Sequence, residues 1–209
     1  MANTRSLQWQ PSLLDACAHA PGFDAQFSSV RRVELDESAW VEHVPGWVHG
    51  ADALFATIVE RAPWTQRRVH MYDRMVDEPR LIAWYGVALD DPSVPPVIEP
   101  MAAALSARYG REFDGVGAAL YRDGRDSVAW HGDRIPAEIV EPVVALVSLG
   151  SPRTLRMRCK SRHRETRAFT FVPGDLFVMG GASQRTWEHS VPKVAWAGPR
   201  LSLQFRHSR

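Results

Sequence analysis

The chain has 209 residues, a formal net charge of +1 at pH 7, 45% hydrophobic and 23% charged residues, as in ordinary globular proteins. Two cysteines exclude a disulfide framework, and the near-zero net charge gives no global argument for binding nucleic acid or membranes. No apolar run approaches the ~20 residues of a spanning helix, and the polar first residues lack the pattern of a signal peptide. We therefore expect a cytoplasmic, monomeric protein with one domain over 1–209 and no membrane contact.

The first part of the chain is weakly patterned. Pro11, Pro21 and Gly22 interrupt it, and we expect residues 1–50 to form an N-terminal extension that wraps the outside of the core. Apolar residues then recur at helical spacing over 51–62, which predicts an amphipathic helix ended by Pro63.

A second helix is predicted over 97–109, in a stretch rich in Ala and Met that stops at Gly110. Asp, Pro and Ser residues over 90–96 predict a loop before it. The segment 51–114 is therefore expected to supply helices and a region on the substrate side.

From residue 115 onwards, short runs rich in Val, Leu, Phe and Thr alternate with turn signals. Strands are predicted at 116–121, 127–133, 143–149, 154–159, 167–172, 175–180, 186–190 and 200–206. Regular short strands of this kind indicate a closed antiparallel barrel or a sandwich. The predicted fold class is α+β, mainly β, with helices first.

The strongest local signal for chemistry is the sequence Trp130-His131-Gly132-Asp133. On a strand, residues two apart project from one face, so His131 and Asp133 would point the same way. His189 lies near the other end of the β region. Two histidines and one carboxylate form the facial triad of non-haem iron(II) oxygenases. Taken alone, H-x-D is equally compatible with a surface turn after a strand.

The last predicted strand is amphipathic. Its polar face would carry Arg200, Ser202, Gln204 and Arg206. Two interpretations remain open, namely an edge strand with a solvated face or a barrel strand whose polar face lines a ligand cavity. Arginine suits the distal carboxylate of a dicarboxylate. Because six residues of strand span ~20 Å, the two arginines would serve opposite ends of such a cavity.

The ordered set Tyr121-x-x-Gly, His131-x-Asp, Pro173-Gly-Asp, His189 and Arg200-x5-Arg resembles the AlkB family of 2-oxoglutarate-dependent dealkylases. The resemblance covers 60–207, and its motifs are specific only as an ordered set. It implies a double-stranded β-helix (jelly roll) at 115–209 with N-terminal flanking helices. It also implies Fe(II), 2-oxoglutarate and O2 as cofactor and co-substrates, with oxidative demethylation of alkylated bases in DNA or RNA, a repair reaction.

Carried over residue by residue, the resemblance implies that His131, Asp133 and His189 are the metal ligands and catalytic residues. The residues expected to bind the co-substrate are Tyr121, Arg200, Ser202 and Arg206. Arg200 would meet the C5 carboxylate of 2-oxoglutarate, and Arg206 would lie nearer the metal and the substrate.

Three positions depart from the family pattern. Ala119 and Ser202 stand where the family usually has asparagines, so two amides that help to bind 2-oxoglutarate are missing. Ile135 stands where many relatives carry an acidic residue that contacts the damaged base. The departures put the usual substrate in question more than the chemistry.

Substrate contacts are predicted from charge and aromatic residues. A basic cluster runs from Arg153 to Arg167, and within it Arg156, Arg158 and Lys160 would share one face of a strand, which suits phosphate contacts. Arg134 lies beside the metal motif. Trp84 and Tyr85 are candidates for stacking on a base taken out of its helix. The alternative interpretations are a solvated hairpin and core aromatics.

Three functions remain open on the sequence. The first is a nucleic-acid dealkylase of the AlkB kind. The second is a 2-oxoglutarate oxygenase that acts on a protein or a small molecule. The third is a nucleic-acid-binding module with an unused metal site, which the complete triad disfavours.

Overall fold

The computed structural model of the protein describes residues 7, 20–71, 73–85 and 93–207. Pro11, Cys17 and residues 90–92 therefore lie outside the described residues. The helices in the described ranges are α1 (Ala51–Arg61), α2 (Ile98–Tyr109) and α3 (Ser183–Thr186). None of them is both long and apolar enough to cross a membrane.

Strands precede and follow the two longer helices. The strands of the first part are β1 (Gly22–Phe23), β2 (Arg31–Glu34), β3 (Ala39–Val44), β4 (Val48–His49), β5 (Arg68–Met71), β6 (Arg74–Asp77) and β7 (Leu81–Trp84). Those of the second part are β8 (Gly115–Tyr121), β9 (Val128–His131), β10 (Val144–Gly150), β11 (Arg153–Cys159), β12 (Thr166–Phe171), β13 (Leu176–Gly181), β14 (Trp187–Val191) and β15 (Arg200–Arg206).

Two antiparallel sheets form the body of the protein. The major sheet has the strand order β2-β3-β13-β10-β15-β8-β7, and the minor sheet has the order β12-β11-β14-β9. The non-consecutive order of neighbouring strands is that of a jelly roll, as the resemblance implied. β15 lies inside the major sheet, between β10 and β8.

Strand alternation sorts the side chains of the major sheet into two cores. The outer face packs against α1 and α2; Leu203 of β15 and Ile58 of α1 belong to this cluster. The inner face packs against the minor sheet, through residues such as Phe177 and Met157. Because successive residues alternate between faces, the apolar side of β15 covers the helices and its polar side faces the space between the sheets.

Both long helices end where the sequence indicated. α1 stops before Pro63, and Ala62 is already extended, as the residue before a proline prefers to be. α2 ends at Gly110, which takes a left-handed φ of 62° and donates its N–H to the Ser106 carbonyl. Both predicted helices are confirmed, although α1 ends one residue earlier and α2 begins one residue later than predicted.

The region before residue 50 differs from the expected external wrap. β3 pairs with β13 along its whole length, and β2 pairs with β3, so both strands extend the major sheet. Val41 of β3 is 1% exposed and belongs to the inner core. Part of the expected extension is therefore an integral part of the sandwich.

The packing of the outer face predicts unequal effects of one substitution at two sites. Val147 of β10 is 0% exposed, whereas Val33 of β2 is 41% exposed. We expect Val147→Ala to lower the free energy of unfolding by about 2 kcal/mol and Val33→Ala by less than about 0.5 kcal/mol. Denaturant midpoints at an unchanged m-value measure this. Equal losses in the two variants would contradict the assigned core.

Candidate active site

His131 is the last residue of β9, and its ring is oriented by a backbone contact. The ring Nδ1 lies 2.8 Å from the carbonyl oxygen of Ala129. A carbonyl oxygen only accepts, so Nδ1 carries the proton and donates it. In the neutral ring this contact leaves the lone pair on Nε2, which is the form of imidazole that binds a metal.

Asp133 does not lie on the strand, which ends two residues before it. The prediction of a strand over 127–133 is thus too long. Gly132 allows the chain to pass close to α3, because a Cβ atom there would lie 2.6 Å from the Gln184 carbonyl oxygen. The backbone N–H of Asp133 then donates to Gln184 Oε1 at 2.9 Å instead of to a neighbouring strand. A side chain of α3 therefore sets the position of this carboxylate.

The Asp133 carboxylate is held in its charged form. Burial by itself would raise the pKa of this carboxyl, but the positive charge of Arg206 and its hydrogen bond to the carboxylate hold the pKa below its usual value. Arg206 Nη2 donates to Asp133 Oδ1 at 3.1 Å. One end of the polar face of β15 therefore contacts the candidate metal ligand directly.

His189 lies in the middle of β14, directly opposite His131 in the strand pairing. The two ring centroids are 4.3 Å apart. Burial lowers the pKa of His189 to about 4, although the carboxylate of Asp133 opposes this effect. At neutral pH this imidazole is therefore neutral and able to bind a cation.

Together the three side chains form a site with the chemistry of a facial triad. One ligand atom from each of His131, Asp133 and His189 lies within 4.8 Å of the others. Two imidazoles and a carboxylate are the donor set that non-haem iron prefers. The His131 side chain is still 37% exposed, so one side of the site faces solvent. The structure thus brings together the three residues that the sequence analysis grouped.

Arg200 lies at the other end of the polar face of β15 and is 1% exposed. Its Nε donates to Ser148 Oγ at 3.1 Å, and its guanidinium carbon is 5.3 Å from the centroid of the Tyr121 ring. No carboxylate of the described residues forms an ion pair with it. Burial lowers its pKa to about 10, so it remains charged at neutral pH. A buried cation of this kind calls for an anionic ligand.

Small side chains separate the buried arginine from the metal ligands. Ser202 pairs across the sheet with Ser148 on one side and with Ala119 on the other. All three are less than 5% exposed. The two positions where the family carries larger amides thus line the stretch of the inner face that connects Arg200 with Arg206.

The aromatic candidates for substrate contact lie on opposite faces. Trp84 is 54% exposed, and its ring covers Gly115 and Gly117, where an added Cβ would lie 2.9 and 3.0 Å from ring atoms. Gly117 pairs with Gln204 on the inner face, so Trp84 lies on the same face as the candidate site. Tyr85 is 5% exposed and belongs to the outer core, a placement that argues against base stacking.

The basic cluster is only partly a surface feature. The prediction of a phosphate contact is wrong for Arg153, which is 4% exposed. Its guanidinium donates to the carbonyl oxygens of Asp123, Asp126 and Pro192. Its role is to brace two loops. Arg134 and Arg156 are exposed, as a phosphate contact requires.

Arg158 shares the outer face of the minor sheet with Arg156, as the alternation predicted. Lys160 lies just beyond β11, and its ammonium group donates to the carbonyl oxygens of Gln184 and Arg185. Unlike an open cation, however, Arg158 makes two close contacts. It forms an ion pair with Glu188 and lies over the ring of Trp130. Ile135 is half-buried and packs against the inner core.

Two residues near the site were not predicted. Gln184, 4% exposed, fixes the backbone of Asp133, and Ser148, 1% exposed, contacts Arg200. Each lies on a different structural element from the residue that it contacts, and neither belongs to a sequence motif. The polar Ser148 inside the apolar run Val144–Gly150 was the one available signal.

Comparisons with known proteins agree with this geometry. A model of the 2OG-Fe(II) oxygenase superfamily matches residues 48–209. The chain is 33% identical over 182 residues to "Alpha-ketoglutarate-dependent dioxygenase alkB homolog 3" of Homo sapiens, which covers 78% of this chain and 64% of that protein. It is 28% identical over 192 residues to "DNA oxidative demethylase ALKBH2" of Arabidopsis thaliana, covering 73% and 60% respectively. The chain therefore spans less than two thirds of either relative.

The contact of Gln184 predicts an effect on metal binding. Gln184→Leu keeps the size of the side chain but removes the acceptor of the Asp133 N–H. We expect it to weaken the binding of Co(II) or Fe(II) about tenfold, as for other residues that orient a ligand. Anaerobic metal titration measures the effect. The exposed Gln26→Leu is the control, and equal metal affinities in the two variants would contradict the assigned role.

Proposed function

This chain belongs to the 2OG-Fe(II) oxygenase superfamily, and we propose that it removes alkyl groups oxidatively from the bases of DNA or RNA. The observation that carries the proposal is the pairing, on the inner side of the sandwich, of the triad His131, Asp133 and His189 with the buried Arg200, which forms no ion pair with a carboxylate in the described part of the chain. A metal site and a buried guanidinium are the two contacts that a chelating 2-oxo dicarboxylate needs, one for its 2-oxo acid end and one for its distal carboxylate.

The residues present fit both groups. His131, Asp133 and His189 would hold Fe(II), and Arg200 with Tyr121 would hold the far carboxylate of 2-oxoglutarate. When bound, Fe(II) would allow O2 to insert one oxygen atom into a C–H bond next to nitrogen, while 2-oxoglutarate takes up the other atom and is converted to succinate and CO2. A hydroxymethyl group on nitrogen then breaks down to formaldehyde and the unmodified base.

The chain's own contribution is orientation and charge. Arg206 holds Oδ1 of Asp133 in place, and the Ala129 carbonyl fixes the tautomer of His131. Arg200 and Tyr121, both buried, would orient the co-substrate and keep water away from its distal end. The small side chains of Ala119, Ser148 and Ser202 would lie beside the carbon chain of the dicarboxylate.

Nucleic acid is the substrate class that the surface and the relatives favour together. Trp84 offers an exposed ring on the face of the site, suited to stacking on a base. Arg134 and Arg156 are exposed cations suited to phosphates. One relative is named a DNA oxidative demethylase. Ser202 and Arg206 complete the proposed co-substrate side of the pocket.

The position of Ile135 also fits a second function, an oxygenase with a substrate other than nucleic acid. Ile135 packs against the inner core instead of presenting a polar group beside the metal ligands, so this position cannot hydrogen-bond to a base. An oxygenase that acts on a protein or small molecule would share the metal and carboxylate sites and differ only in its substrate.

We place the protein in the cytoplasm as a monomer. Cys159 is buried and free, and free thiols and ferrous iron both suit a reducing compartment.

The proposed reaction predicts two products from one assay. Protein loaded anaerobically with Fe(II) and then exposed to air with 2-oxoglutarate should release succinate and formaldehyde when an oligonucleotide carries 1-methyladenine or 3-methylcytosine. His131→Ala should abolish both products, whereas the exposed His163→Ala should retain them. Succinate without stimulation by any oligonucleotide would point to the second function. No succinate at all would contradict the oxygenase.

The buried arginine predicts the affinity for the co-substrate. Arg200→Met leaves the distal carboxylate buried without a counter-ion, and we expect 2-oxoglutarate affinity to fall about hundredfold. Arg200→Lys keeps the charge but loses the planar guanidinium, so its affinity for 2-oxoglutarate should lie between those of the unmodified protein and Arg200→Met. Anaerobic calorimetry on the Fe(II)-loaded protein gives these values. An unchanged affinity in Arg200→Met would place the carboxylate elsewhere.

A further inference from the structure

The outer face of the minor sheet carries a contact directly behind the proposed metal ligands. Trp130 precedes His131 on β9, and Glu188 precedes His189 on β14. Because neighbouring residues of a strand project from opposite faces, Trp130 and Glu188 lie on the outer side while the two histidines lie on the inner side.

Arg158 of β11 joins these two residues. Its Nη2 and Nε lie 2.8 and 2.9 Å from Glu188 Oε2. Its guanidinium carbon lies 4.4 Å from the centroid of the Trp130 ring. The side chains of Arg158 and Glu188 are only 25% and 23% exposed, so both contacts are partly shielded from water. The Arg158 clamp, meaning Arg158 with Glu188 and Trp130, thus spans three adjacent strands.

The strand that carries His131 is weakly held by its backbone. β9 has four residues and lies at the edge of the minor sheet. It pairs with β14 at His131–His189 and Val128–Val191, and the register shifts between these two pairs. A short edge strand with an irregular register has few ladder bonds to fix its position. The contact between Arg158 and the Trp130 ring is therefore important for fixing the position of the end of β9.

We propose that Arg158 is a positioning residue for the metal centre, and that its clamp fixes the spacing of the His131 and His189 imidazoles. The proposal rests on the proposed function only through the metal site. It also separates Arg158 from Arg156, its neighbour on the same strand and face, whose exposed side chain remains suited to phosphate.

The test is equilibrium binding of Co(II), in place of Fe(II), to the metal-free full chain, followed by the ligand-field absorption of the bound ion. Arg158→Met keeps the aliphatic stem and removes the clamp. We expect its Co(II) dissociation constant to rise about fivefold, less than the tenfold or more for residues bonded directly to a ligand, and the absorption band to shift. Arg156→Met removes the same charge from the same face and should bind Co(II) as the unmodified protein does.

The sign of the effect distinguishes positioning from simple electrostatics. Removing a positive charge near a cation site would by itself tighten metal binding, whereas loss of the clamp weakens it. Glu188→Gln should also weaken binding, and the double variant should resemble Arg158→Met instead of adding the two losses, because both changes break one contact. Thermal unfolding of each metal-free variant identifies any that fail to fold, and Arg158→Lys, which keeps the ion pair, should restore part of the affinity.

Several outcomes would overturn the proposal. If Arg158→Met binds Co(II) as Arg156→Met does, with the same absorption band, the clamp does not position the ligands. If Arg158→Met instead loses oligonucleotide affinity alone, Arg158 is a phosphate contact. Absence of Co(II) binding by the unmodified protein would overturn the metal site and the clamp together, whereas Co(II) binding without oxygenase turnover would count only against the proposed function.

Discussion

A charged guanidinium buried between two sheets is the constraint on which this site depends. Arg200 is almost fully buried and its neighbours within the described ranges supply a hydroxyl and an aromatic face but no carboxylate. Burying an unpaired charge costs several kcal/mol, and a hydroxyl offsets only part of this cost. The arrangement is reasonable for a site whose anion arrives as a ligand. The same strand also contacts the candidate metal site, since Arg206 near its other end donates to Asp133.

The surrounding elements fix the position of β15, the strand that carries Arg200. β15 lies inside the major sheet, and its apolar face anchors it to α1 and α2. Its polar face is thereby held against the minor sheet, which contributes His131 and His189 from adjacent strands. The triad is thus assembled from a strand end, a loop and a strand centre. Contacts from other elements hold it together, namely Gln184 on the inside and the Arg158 clamp on the outside.

The sequence predicted what local periodicity controls and missed what distant contacts control. The alternation of β15 was enough to place Arg200 and Arg206 on one face, although it left open whether that face was solvated or lined a cavity. Pro63 was enough to end α1. Nothing local showed that Ala39–Val44 pairs with a strand far along the chain, because such pairing is decided by tertiary context. Arg153 looked like a surface cation in a basic run, yet three carbonyl oxygens, known only once the loops are placed, account for its burial.

In the proposed site, one ligand binds the metal with one end and Arg200 with the other. Anaerobic calorimetry of the Fe(II)-loaded protein can compare 2-oxoglutarate with 2-oxobutyrate, which lacks the distal carboxylate. We expect 2-oxobutyrate to bind about a hundredfold more weakly, since it leaves the buried guanidinium without an anion. Equal affinities for the two acids would show that the distal carboxylate has no partner in the pocket and that Arg200 does not bind the co-substrate.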